Sequence, residues 1–407
     1  MDQNPTRNRP VELAIILIFI LALFAPLLTW TFQKDVFYSE AEKRELQPFP
    51  STTGQDSVTS FTRSFDSYFQ DHFGLREWLI HRYHREIKKR FGMSGVPLVL
   101  EGSDGWLFFS GVRILDDLKG HLQFSEEEEQ RFRHLLVKKE AWLKKRGVAY
   151  IFMVAPNKQS IYPEYLPLHY QQLKKTSRLD HLLAGGPDDI GETLLNVSPY
   201  LREGKSAMRL YDKSDTHWNS QGAFLAYQAI MERTRSLFPD FQARDNFHFS
   251  PNWQDGTGGD LALMIGRRQS IVEQRPMVDT RDFITVEKKM GKELTSLLSL
   301  PQLKPYYSEK KSGQLRVLVL HDSFFNTISP FTSESFQEVL YIWQYYDATT
   351  LDFFNRENLI ALLDIFQPDL IIEETVERYL PRFLTSNGWF DEKSAPAKGS
   401  AGKATQK

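Results

Sequence analysis

The chain has 407 residues, 41% of them hydrophobic, and 50 Lys and Arg against 52 Asp and Glu leave a formal charge of -2. That length and composition suit two or three folded domains' worth of polypeptide and exclude a wholly disordered chain, and the near-zero charge supplies no field to hold a polyanion, which argues against a dedicated nucleic-acid binder. Cysteine is absent, which excludes a disulfide scaffold, a thiolate zinc site and a cysteine nucleophile.

Leu13 to Phe32 is twenty uncharged residues, long enough to cross a ~30 Å hydrocarbon core and apolar on every face, so it is predicted to be a transmembrane anchor. Arg7 and Arg9 precede it, whereas Lys34 is soon followed by Asp35, Glu40 and Glu42. That bias puts residues 1–12 in the cytoplasm and the rest outside. A cleaved signal peptide is the rival reading, but its apolar region usually runs only ~7 to 15 residues, and the small-residue candidate Ala25 is followed at once by Pro26.

Residues 33–97 read as a linker and a helical approach segment. Gln33 to Thr59 is polar, with Pro48 and Pro50; Phe61, Phe65, Tyr68, Phe69 and Phe73 then recur at helical spacing, and a second helical stretch carries Trp78, Leu79, Tyr83 and Ile87. Its other face holds Arg82, Arg85, Lys88, Lys89 and Arg90. Lipid headgroups or an anionic polymer would suit that face, but the plainer expectation is a solvated helix surface.

Residues 98–385 are expected to form the main domain. Gly105 to Phe109 reads as a strand leaving a turn, and Ser125 with Glu128 forms a capping box for a helix that Gly147 stops. Val148 to Ala155, Leu315 to Leu320, Val339 to Trp343 and Leu370 to Ile372 are buried strands; helices are predicted at Ser220 to Leu237 and Arg356 to Phe366. Such strands alternating with helices indicate an α/β fold with a mostly parallel sheet. The glycines of residues 255–260 read as a turn into Leu261 to Ile265, and 386–407 as a disordered tail rich in Ala, Gly, Ser and Lys near its end.

In open α/β sheets ligands bind beyond the carboxyl ends of the strands. Ser323 follows the strand LRVLVLHD, and Asp215 and His217 lie two apart just before a helix. A serine hydroxyl needs a base to take its proton, and the imidazole needs a carboxylate to fix its tautomer, so these are the residue types of a nucleophile, a base and its orienter. The 106 positions between His217 and Ser323 leave their meeting open. Asp322 competes as a helix cap, His321 as a core histidine, and Trp106, Trp218, Trp253 and Trp343 as either core or sugar-stacking residues. A metal site would gather Asp215, His217 and His248 or His321, but the sequence has no HExxH pattern.

The blocks EGSDGWLFFSG (101–111), VAPNKQSIYPEYLP (154–167), SDTHWNSQGA (214–223), GGDLALMIG (258–266) and VLVLHDSF (317–324), with FDSYFQDHFGLREWLI (65–80), resemble the SGNH-hydrolase-like proteins of bacterial polysaccharide O-acetylation, typified by the alginate O-acetyltransferases. The resemblance covers about residues 60–380. It implies an SGNH-like three-layer fold, circularly permuted relative to ordinary SGNH hydrolases because the serine comes last, behind one transmembrane helix. It implies Asp215 and His217 as the Asp-x-His pair, Ser323 as the nucleophile and, through the permutation, Asn157 as an oxyanion-hole amide; closing a turn is the alternative role for Asn157. The implied activity is O-acetyl transfer through an acetyl-serine onto an exported polysaccharide, with no cofactor, in the periplasm at the bacterial inner membrane. A membrane-bound O-acyltransferase would supply the acetyl groups. An acetylesterase and a non-catalytic polysaccharide-binding or assembly protein remain the other readings.

Overall fold

The computed structural model describes residues 9–32, 36, 38–39, 44–50, 58–91, 96–185, 190, 192–250, 252–344 and 348–390. They fall into two compact units, one of residues 1–100 with 257–271 and one of 101–256 with 272–407. The segment 257–271, inside the span 98–385 expected for the main domain, groups with the first unit. Within that segment Asp260–Met264 is a short helix.

The first unit holds three long helices. Helix α1, Arg9–Phe32, is apolar throughout and has no buried residue. It is the one helix among the described residues long and apolar enough to cross a membrane. It continues through Pro26, and Thr29 Oγ donates to the carbonyls of Ala25 at 2.9 Å and Pro26 at 3.0 Å. Helices α2, Val58–His72, and α3, Arg76–Phe91, follow the aromatic periodicity. Asp71 on α2 takes both ends of the Arg44 guanidinium and the backbone N–H of Gln47.

The second unit is built on a seven-stranded sheet. In chain order its principal elements are α4 (Glu126–Lys144), β1 (Ala149–Ala155), α5 (Lys158–Ile161), β2 (Leu194–Asn196), α6 (Ser220–Leu237), β3 (Val286–Glu287), β4 (Tyr306–Glu309), β5 (Gln314–His321), β6 (Phe336–Trp343), α7 (Arg356–Phe366), β7 (Leu370–Val376) and α8 (Leu380–Ser386). The spatial order is β2-β1-β7-β5-β6-β4-β3. The first five run parallel, and β4 and β3 add an antiparallel edge. This is the mostly parallel α/β architecture expected from the continuous apolar runs, since β1 and β7 are buried at nearly every position.

Alternation decides which layer each side chain joins. Phe152, Val154, Leu318, Leu320, Leu340, Ile342 and Ile371 share one core with Phe132, Leu135 and Leu136 of α4, Leu359, Leu362 and Phe366 of α7, and Phe383 of α8. Ile151, Met153, Val317, Val319 and Val339 have the opposite parity and are equally buried. The first residues of α6 and α7 match the sequence reading because Asn219 and Asn355 cap them with side-chain oxygens, and Ser125 and Glu128 form the expected capping box on α4. Strand β7 runs four residues past Ile372 because Glu373, Glu374 and Thr375 are polar yet buried. The ordered chain also passes residue 386: Gly388–Phe390 form a 3₁₀ turn and Phe390 is buried. Residues 391–407, most of the expected tail, lie outside the described residues.

One ion pair crosses this core. Lys139 on α4 donates to Glu373 on β7 and to Asn387 Oδ1 at 2.7 Å, while the Tyr150 hydroxyl donates to Glu373 at 2.6 Å. Burial pushes the Lys139 ammonium below its ordinary range, and the Glu373 carboxylate opposes that shift. Removing one partner of such a pair strands a buried charge, so Lys139→Met is expected to destabilise the unit by about 3 to 5 kcal/mol, and Lys139→Met with Glu373→Leu to recover most of it. Chemical denaturation of the two variants checks this; equal losses in both would contradict it.

Candidate active site

The site forms where β5 and the 209–219 segment meet. At the end of β5, Asp322 caps a 3₁₀ turn, Ser323–Thr327: its Oδ1 accepts the Phe324 N–H at 2.9 Å and its Oδ2 the Val376 N–H at 2.8 Å. The cap reading of Asp322 is thus correct, and Asp322 presents Ser323 rather than competing with it. The 209–219 segment closes on itself, with Asn219 N–H donating to the Leu210 carbonyl at 2.9 Å and Asn219 Oδ1 accepting from Gln221 and Gly222 N–H. Gly222 is required there, because a Cβ would fall 2.3 Å from the Leu210 oxygen.

Asp215, His217 and Ser323 come together. Asp215 Oδ1 accepts the His217 backbone N–H at 3.0 Å and faces His217 Nδ1 at 2.8 Å, and His217 Nε2 lies 2.8 Å from Ser323 Oγ. One carboxylate oxygen therefore fixes both the turn and the ring, leaving Nε2 to take the serine proton when Nδ1 carries the hydrogen. Trp218 Nε1–H donates to the Phe324 carbonyl at 3.0 Å, and Phe324 packs 4.8 Å from the His217 ring. These contacts hold the two loops in register.

The structure decides between the readings left open for two of the tryptophans and for His321. Trp106 and Trp218 are buried and so are not platforms for sugar rings. His321 packs against Phe325, Tyr341 and Trp343 in the core, away from a ligand role. Asn157 sits at the start of α5 with its N–H on Glu377 at 3.0 Å and its Oδ1 accepting from Arg378 at 3.1 Å; it is not among the residues lining the cleft over Ser323.

That cleft, of about 320 Å³, is lined by Asp215, His217 and Ser323 together with Asp212, Arg275 and Asn326, among others. Arg275 Nε donates to Asp212 Oδ2 at 2.9 Å. Burial, then the nearby Glu273 carboxylate, pushes Asp212 up to about 6 despite Arg275. Beneath the cleft, Lys158 is buried and donates to the carbonyls of Asp212 at 3.0 Å, Lys213 at 3.1 Å and Asp215. Sequence reasoning missed Lys158 and the Asp212–Arg275 pair. The signal for Lys158 was its place three residues beyond a wholly apolar strand, inside the quoted 154–167 block.

Two of these groups make stability depend on pH in opposite senses. Burial lowers His321 from 6.5 to about 4, so the unfolded chain binds its proton first and stability is lost as pH falls from 6.5 towards 4. Asp212 is raised, so the folded chain binds its proton first and stability is lost as pH rises through the same region. They offset each other in the wild type. In His321→Phe the His321 contribution vanishes, and the stability lost between about pH 7 and pH 5 should shrink by about 2 kcal/mol relative to wild type. Parallel pH profiles for the two proteins would show that His321 is not buried neutral.

Residues 99–302 match the family described as SGNH hydrolase-like domain, acetyltransferase AlgX. The chain belongs to this AlgX-type family of SGNH hydrolase-like acetyltransferase domains. The match includes Asp215 and His217 and ends before Ser323. No curated protein sequence matches the chain. Among solved structures, Bacillus cereus PatB1 is similar at 18% identity and a TM-score of 0.49, covering 69% of this chain and 96% of that one. The O-acetyltransferase domain of Pseudomonas putida AlgJ is similar at 16% and 0.44, covering 72% of this chain and all of that one. Pseudomonas aeruginosa AlgX is similar at 15% and 0.44, covering 71% and 66%.

Proposed function

We propose that this protein is a serine O-acetyltransferase that moves an acetyl group through Ser323 onto hydroxyls of an exported bacterial polysaccharide. The observation that carries the reading is the continuous Asp215–His217–Ser323 hydrogen-bond chain opening into a cleft, in a chain of an acetyltransferase family. His217 Nε2 takes the Ser323 proton as Oγ attacks the acetyl carbonyl; the donor's leaving oxygen then receives that proton. In the second half His217 deprotonates a sugar hydroxyl, which attacks the acetyl-serine and releases Oγ, while Asp215 stabilises the imidazolium throughout.

A second reading, acetylester hydrolysis, is favoured by one observation: the His217 and Asp215 side chains are both about a fifth exposed, so water reaches the same base. Purified protein given an activated acetyl ester with and without polysaccharide separates the two. Acceptor-dependent loss of the ester and acetylated polymer support transfer; acceptor-independent acetate release supports the esterase.

The α1 helix is proposed as an uncleaved single-pass anchor in the inner membrane, with the site in the periplasm. A single span encloses no polar path, so the acetyl group is proposed to cross through a separate membrane-bound O-acyltransferase, to which anchoring keeps this protein close.

A further inference from the structure

The first unit carries a surface that acetyl transfer does not use. The turn between α2 and α3 is pressed onto the last two turns of α1: a Cβ at Gly74 would lie 2.0 Å from the Pro26 carbonyl oxygen and 2.2 Å from Thr29 Oγ, and the Trp30 ring meets Phe69 edge to face at 5.8 Å. With a rise of about 1.5 Å per residue, Pro26 lies about 9 Å from the end of α1 at Phe32. If α1 spans a bilayer, the turn that opens α3 lies within about 9 Å of the boundary where hydrocarbon gives way to headgroups.

What α3 exposes at that level is unusual for a helix facing water. Trp78, Leu79 and Tyr83 are 57, 43 and 60% exposed, and Arg82, Lys89 and Arg90 are exposed among them. Successive steps of three or four residues put these apolar and basic side chains on one side of the helix, while Ile80 and Ile87 are half-buried. By sequence α3 holds six basic and two acidic residues, and one of the acids, Glu86, is shared between Arg82 at 3.2 Å and Arg90 at 3.8 Å. Outward Trp and Tyr interleaved with Arg and Lys, next to the end of an apolar span, is the arrangement that lies at a lipid interface: rings settle at headgroup level and cations meet phosphates.

We propose that the Trp78–Arg90 face of α3 docks on the anionic headgroups of the bilayer that α1 crosses; this rests on the anchor reading above. The chain has no cysteine, so single nitroxide labels report cleanly. Full-length protein is placed in phosphatidylcholine vesicles with and without phosphatidylglycerol, labelled at Leu79→Cys, at Ile18→Cys within α1, or at the exposed Glu127→Cys on α4. Collision with oxygen relative to a water-soluble nickel reagent is expected to be several-fold higher at position 79 than at 127 when phosphatidylglycerol is present, and to fall towards the 127 value in neutral vesicles or with Arg82→Glu and Lys89→Glu. A label at 79 as wet as that at 127, with 18 still shielded, overturns the docking. Shielding of 79 that needs an added anionic polysaccharide rather than phosphatidylglycerol overturns it also, in favour of a polymer surface. A wet label at 18 overturns the anchor reading and the docking with it.

Discussion

Ser323→Ala is expected to lower acetyl transfer by on the order of 10³-fold or more while leaving the fold intact. The loss is large because the hydroxyl is the only atom the substitution removes, and it is the atom 2.8 Å from His217 Nε2. The fold survives because the turn is held by neighbours: Asp322 caps it through Phe324 and Val376, and Trp218 ties it through the Phe324 carbonyl. His217→Ala should cost a similar factor, and the double variant no more than either single, since base and nucleophile act as one unit. Mass spectrometry of protein incubated with an activated acetyl ester should find the acetyl group on the peptide containing Ser323 in the wild type and not in Ser323→Ala. Undiminished transfer by Ser323→Ala, with an unchanged melting curve, would sink the acetyl-serine mechanism.

What the sequence made legible follows from which forces act locally. The starts of helices α6 and α7 were legible because Asn219 and Asn355 cap them with their own side chains, an interaction spanning two or three positions. Strand β1 and the Val317–Leu320 part of β5 were legible because both faces are covered, which leaves an apolar run. The site was legible only as residue types. Asp215 and His217 are held by a turn two residues long, but their meeting with Ser323 depends on the sheet bringing β5 beside the 209–219 segment, and no spacing encodes that. Buried ionic groups were illegible for a related reason. Lys139 and Glu373 lie 234 positions apart, and a lysine in an otherwise amphipathic helix reads as solvent-facing until the partner strand is in place. The same bias made Trp106 and Trp218 candidates for sugar stacking. Trp106 instead packs on Tyr162 and Tyr165 in the core, and the Trp218 indole N–H is spent on the Phe324 carbonyl, a buried polar need that composition does not reveal.

Lys158 is the residue through which this packing reaches the chemistry. Its ammonium has three N–H donors, and the three carbonyls it meets belong to Asp212, Lys213 and Asp215, the stretch that leads into the Asp215–His217 turn. The rings of Trp106 and Phe108 stand 5.5 and 5.3 Å from the same nitrogen, so it sits at the distance for cation–π attraction as well. Methionine at this position keeps most of the stem's bulk and removes every donor. The Lys213 carbonyl keeps the Leu107 N–H at 2.8 Å, but those of Asp212 and Asp215 lose the ammonium at about 1 to 3 kcal/mol each, so Lys158→Met is expected to destabilise the second unit by about 2 kcal/mol or more. A purely structural role would end there. If Lys158 also positions the turn, the fully folded variant at low temperature should still lose about tenfold to a hundredfold in kcat, with KM little changed, because a displacement of His217 by ~1 Å is felt in the transition state more than in binding. Comparison of kcat and KM below the melting transition decides between the two: a normal kcat in folded Lys158→Met would reduce Lys158 to a core clamp, whereas a selective fall in kcat would make it the residue that aims His217 at Ser323.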